Sequence, residues 1–124
     1  RGANDNSLVS RIGFGERTIL LTGDAEHEEE EQLLAGGRLD LRADVLKVGH
    51  HGSRTSSSPA FVEAVSPSIA VISCGVRNRF GHPHASTLGT LEQAGVRVFR
   101  TDLDGSVVVT TDGRSLDVRT MASR

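Results

Sequence analysis

Two short aliphatic runs each end in side chains able to bind a metal. Leu20-Leu-Thr-Gly-Asp24 ends in a carboxylate, and Asp44-Val-Leu-Lys-Val-Gly-His50-His51-Gly52-Ser53 ends in two imidazoles. A third cluster, Gly81-His-Pro-His84, places His82 and His84 around a proline. Four of the five histidines therefore fall in two clusters, both at positions that read as loops. A carboxylate offers two oxygens and can bridge two metal ions, and neutral imidazole is a common ligand for such ions. Ligands of α/β sheets collect beyond the carboxyl ends of strands, which is where these groups stand. The pattern points to metal-assisted hydrolysis.

Each group also has a plainer reading. Asp24 could cap a helix beginning at Ala25, since a carboxylate at that place accepts a free backbone N–H. His50 and His51 are adjacent, so in extended chain they point to opposite sides. Only one of them can then serve as ligand to a given ion, the other contacting substrate or supporting the loop, and the plainer reading is a structural pair facing solvent. Gly49 and Gly52 bracket the pair and allow a sharp turn. His82 and His84 could ligate a metal or donate to a substrate oxyanion. His27 sits in an acidic helix, and the place four residues on holds Glu31, so the helical zinc-protease pattern is missing. No serine stands in a nucleophile elbow and no phosphate-binding glycine loop is followed by Lys-Ser or Lys-Thr.

The elements that must position these groups follow from periodicity. Ser7 to Phe14 and Arg17 to Thr22 predict an antiparallel hairpin, followed by an acidic helix from Ala25 to Leu34. Ala43 to Val48 is nearly all apolar and predicts a strand covered on both faces. Ser58 as N-cap and Pro59 as first residue predict a second helix to about Val65. Ile69 to Ser73 reads as a strand, and Ser86 as the cap of a third helix to about Ala94. Val96 to Arg100, Ser106 to Thr111 and Ser115 to Arg119 read as strands, with Asp104-Gly105 and Asp112-Gly113 as hairpin turns. The fold class is α/β, one domain over residues 1–124, with a mixed sheet and about three helices.

Composition narrows the rest. The lone Cys74, in an apolar run, excludes an internal disulfide and reads as a small core residue. A formal net charge of −2 excludes a global field for nucleic acid, so phosphate contacts would have to be local, through Arg54, Arg77, Arg79 or bound metal. No stretch is long and apolar enough to span a bilayer, which predicts a soluble piece with no membrane insertion of its own. An opening Arg with strand-like sequence close behind it predicts a piece of something longer.

Taken in order, Asn4-Asp-Asn-Ser-Leu-Val, Leu20-Leu-Thr-Gly-Asp24, Asp44 to Ser53 with its Thr-Ser-Ser-Ser-Pro continuation, Gly81-His-Pro-His84 and Val98-Phe-Arg-Thr101-Asp-Leu-Asp-Gly105 resemble one family. This is the C-terminal part of the metallo-β-lactamase-fold domain of ComEC-type DNA-uptake proteins. The resemblance implies the second half of an αββα sandwich with a two-metal site at the sheet edge, the ions being zinc or manganese. It implies that Asp24 is the bridging carboxylate and His50 the last metal-ligand histidine, with His51, His82 and His84 orienting or protonating substrate, and Asn6 near the site.

The family's first cluster, His-x-Asp-x-Asp-His, is absent from the chain. Its usual place is upstream, so the resemblance implies a missing N-terminal half of the domain and an apolar face left for that half to cover. The function it implies is phosphodiester hydrolysis, a nuclease step in natural transformation, in a membrane channel protein whose domain faces the extracytoplasmic side. The piece alone is then expected to bind metal weakly, to lose it on histidine protonation, and to show little activity. Two rival readings are a non-catalytic remnant or interaction domain of the same fold, and a stand-alone hydrolase of small phosphoesters.

Overall fold

The computed structural model describes residues 9–23, 27–36, 40–49, 57–74 and 83–121. Strands β1 (Ser10–Phe14) and β2 (Arg17–Leu21) form the expected antiparallel hairpin, turning at Gly15, whose φ of 59° is left-handed. Helix α1 (His27–Gly36) leads to β3 (Val45–Lys47), α2 (Pro59–Val65) to β4 (Ile69–Ile72), and α3 (Ala85–Gln93) to β5 (Arg97–Arg100). The sheet order is β1-β2-β3-β4-β5, with β2 to β5 parallel. A strand order that advances in one direction through right-handed crossovers puts all the connecting helices on one face. The main core agrees, joining Leu33 and Leu34 of α1, Phe61, Val62 and Val65 of α2 and Leu91 of α3 to Leu20, Leu46, Ala70 and Val98. Those last four are one row of the sheet in register.

The next row, Ile19, Val45 and Ile69, faces the other way and is covered by a second, two-stranded sheet. Its strands β6 (Val107–Thr111) and β7 (Leu116–Thr120) alternate, sending Val107, Val109, Leu116 and Val118 inward. Val45 and Leu46 are thus both buried, as a strand covered on both faces requires. The hairpin turns at Asp112, whose carboxylate accepts the N–H of Arg114 (2.9 Å) and Ser115 (2.8 Å). Its tip meets the β1–β2 turn closely. Glu16 N–H donates to Gly113 O at 2.6 Å, and a Cβ on Gly15 would lie 2.7 Å from Gly113 Cα. This cover stops short of β1, leaving Ile12 52% and Phe14 59% exposed on the same face as Ile19.

Three details differ from the sequence reading. Asp104-Gly105 is not a hairpin turn, because residues Thr101–Asp104 form a one-turn helix, α4, that carries the chain from the first sheet to the second. The buried Asp104 carboxylate accepts the N–H of Arg100 at 2.8 Å, which closes that turn. Helix α1 includes Gly36, two residues beyond the expected end at Leu34, and its expected start at Ala25 lies outside the described residues. The cap of α3 is His84 rather than Ser86, and His84 Nδ1 accepts the Ser86 N–H at 3.1 Å. Helix α2 matches the expectation, with Ser58 Oγ accepting the N–H of Phe61 and Pro59 opening the helix.

Candidate functional site

Parallel pairing puts the carboxyl ends of β2, β3, β4 and β5 along one edge. Leu21 is in register with Lys47, and one residue on, Thr22 Oγ1 donates to Lys47 O at 2.6 Å. Thr22 is 1% exposed, so this bond is shielded from water. Val48 N–H in turn donates to Val71 O at 2.9 Å. The chain therefore leaves β2 at Gly23 and β3 at Gly49 from adjacent, tied strand ends. Asp24 and His50 follow directly in sequence. Asp24, His50, His51, His82 and Asn6 themselves lie outside the described residues. Among the described residues no group of three or more His, Cys, Asp or Glu could hold a metal ion.

His84 is described, exposed at the start of α3. Its Nδ1 accepts from Ser86 N–H and lies 2.9 Å from Ser86 Oγ. A neutral ring accepting at Nδ1 carries its proton on Nε2, which fixes the donor end of the side chain.

Glu30 is a functional candidate that composition conceals. It is one of five glutamates between Glu26 and Glu31, yet it is 1% exposed. Its two carboxylate oxygens accept the backbone N–H groups of Ser57 and Ser58. Ser57 has a left-handed φ of 57°, uncommon for a residue with a side chain, and this bond holds it there. The signal was available in spacing. Glu30, Leu33 and Leu34 stand at i, i+3 and i+4, so Glu30 shares the inward face of α1 with two core leucines.

The far part of the edge is closed by a polar cluster. Thr101 Oγ1 accepts the N–H of Cys74 and donates to Cys74 O, both at 2.8 Å, stapling the end of β4 to the end of β5. Arg100 binds Asp102 through two nitrogens, at 3.0 and 2.6 Å. Those bonds hold the Asp102 carboxyl below the usual carboxylate range, against burial that acts the other way, with a hydrogen bond from Cys74 adding to them. The Cys74 thiol is pushed up, chiefly by burial and then by its bond to Asp102, so it stays protonated at neutral pH.

A carboxyl with a depressed folded pKa stabilises the fold above its unfolded pKa and stops doing so as pH falls through the folded value. The Arg100–Asp102 pair is therefore fully effective at neutral pH and is lost below about pH 4, the ordinary Asp range. Asp102→Asn should flatten the acid limb of the unfolding midpoint against pH while leaving its neutral slope unchanged.

Comparison with known proteins fits this edge. A family model described as the metallo-beta-lactamase superfamily matches residues 2–76. The chain is 41% identical over 104 residues to ComE operon protein 3 of Bacillus subtilis (strain 168), covering 84% of this chain and 13% of that protein. It is 40% identical to Competence protein ComA of Neisseria gonorrhoeae, covering 84% and 15% respectively. It is also 40% identical to Recombination protein 2 of Haemophilus influenzae, covering 88% and 14%. The chain thus spans only about one seventh of the length of these relatives. Among its described residues no helix is long and apolar enough to cross a membrane. With its parallel strand ends, its second sheet and this match over more than half its length, the chain belongs to the metallo-beta-lactamase superfamily, and it resembles there the segment found in ComEC-type competence proteins.

Proposed function

We propose that this chain forms part of a divalent-metal hydrolase domain that cleaves phosphodiester bonds, acting as a nuclease on DNA during natural transformation. The observation that carries the reading is the shared edge. The segments bearing Asp24 and His50 leave adjacent parallel strands that the Thr22 bond to Lys47 O ties together. Asp24 and His50 are the residues that would hold metal, and carboxylate with imidazole suits zinc or manganese. Two such ions, when bound, supply Lewis acidity to the phosphoryl oxygen and activate water. The chain's own part is to bind and orient the phosphodiester through His51, His82 and His84. His84, with its proton on Nε2, can donate at the leaving oxygen.

Two relatives' names, one referring to competence and one to recombination, support DNA as the substrate class, and the small share of each relative that the chain covers supports a larger parent protein. In that parent the partners are the other half of the sandwich, which would supply the remaining ligands, and a membrane channel domain. The hydrolase domain then lies on the extracytoplasmic side.

The test is metal content and DNA cleavage by the full-length protein beside Asp24→Ala. Stoichiometric zinc or manganese with metal-dependent cleavage, both lost in Asp24→Ala, is the expected result. A folded protein that binds no metal and cleaves nothing would instead make the domain a non-catalytic remnant. Cleavage of small phosphoesters but not DNA would make it a hydrolase of that class.

A further inference from the structure

From the hydrogen bonds of Thr22 and Glu30 we infer that these two residues are positioning residues for the proposed metal site, clamping the two ends of the segment that carries His50 and His51; this rests on the metal reading above. Thr22 stands two residues before Asp24 and Glu30 six residues after it. Both reach across to the neighbouring connection. Thr22 Oγ1 donates to Lys47 O, three residues before His50, and Glu30 accepts from Ser57 and Ser58, six and seven residues after His51. The connection bearing Asp24 thereby grips the connection bearing the histidines at its entry and at its exit.

Both gripping side chains are buried, each residue being 1% exposed, so the bonds are at least partly shielded from water. Neither bond is needed to continue a strand or helix. The β2–β3 ladder is already formed by Ile19 to Leu21, and α2 has its own cap in Ser58. What the two bonds add is a fixed relation between the described ends of the two connections, Thr22 with Lys47 and Glu30 with Ser57 and Ser58. Groups hydrogen-bonded directly to metal ligands typically change metal affinity 10- to 100-fold when removed, and grips acting through the backbone belong at the lower end of that range.

Thr22→Val replaces the hydroxyl with a methyl of similar size. Glu30→Gln keeps the shape but leaves a single acceptor for two N–H groups. In the full-length protein, with Mn2+ alone as probe, each should weaken binding about tenfold or more, as read by calorimetric titration. Thr22→Ser, which keeps the donor, should bind within about twofold of the parent protein. Amide exchange at Ser57 and Ser58 should speed up in Glu30→Gln and not in Thr22→Val, a local readout that general destabilisation would not produce. Thr22→Val carries the test on its own if Glu30→Gln fails to fold.

The inference is overturned if folded Thr22→Val binds Mn2+ as the parent protein does while Asp24→Ala abolishes binding; the metal reading then stands without it. If the parent protein itself takes up no Mn2+, the metal reading fails and this role falls with it.

Discussion

Phe61→Ala should lower the unfolding free energy of the fold by about 3–5 kcal/mol, the range for removing a buried aromatic ring. Phe61 is 1% exposed and is among the largest fully buried side chains. It projects from the first turn of α2 into the layer between the helices and the sheet, in one cluster with Leu20, Leu46 and Leu91. Its own N–H is held by Ser58 Oγ, so the residue cannot slide along the helix to refill the space. In urea the midpoint should fall by about 1–5 M at unchanged slope, given slopes of about 1–3 kcal/mol per molar. Phe14→Ala is the control of equal chemistry. At 59% exposure it should cost under about 1 kcal/mol. Equal losses for the two would mean that the strip holding Phe14 is covered in solution.

Much of this architecture was legible because local signals and burial agreed. The middle of the apolar run at Ala43 to Val48, Val45–Lys47, became the doubly covered strand, shorter than expected, and Ser58-Pro59 did open α2. The misses have a common cause, in that a polar side chain had several bonds open to it and tertiary context chose. Ser86 is a good cap by type, but His84, two residues earlier, accepts the N–H of Ser86 itself on a ring nitrogen and so opens the helix first. Asp-Gly favours a tight hairpin, but the Asp104 carboxylate folds back to Arg100 N–H and completes a helical turn, so the chain changes sheets there. Glu30 was hidden among like neighbours, and only its spacing from Leu33 and Leu34 distinguishes it. Of the candidate site, the carboxyl ends of the strands that lead to Asp24 and His50 were legible in the sequence. The sequence could not reveal the Thr22 and Glu30 grips, because they join loops from different crossovers.

Asp44→Ala is the second large effect, and it separates stability from metal chemistry. Asp44 opens the motif that ends in His50 and His51. The structure places it at the amino end of β3, the edge opposite to the one where the histidine segment departs. There its carboxylate accepts Thr18 N–H at 2.9 Å and Arg17 at 3.2 Å, while its backbone O accepts the N–H of Ser68 at 3.0 Å. At 9% exposure it joins β2, β3 and the start of β4. Removing the carboxylate strands the Thr18 N–H, a loss of about 1–3 kcal/mol. Arg17 is about one third exposed, so its lost ion pair adds under about 1 kcal/mol. The expected total is about 1–4 kcal/mol. Asp44→Asn, whose amide oxygen can still accept from Thr18, should recover about half of it. Neither variant should shift Mn2+ affinity of the folded full-length protein beyond about twofold, whereas Thr22→Val should. If Asp44→Ala weakened Mn2+ binding as strongly as Thr22→Val, β3 would be transmitting disorder along its length, and the division of labour between its two ends would be wrong.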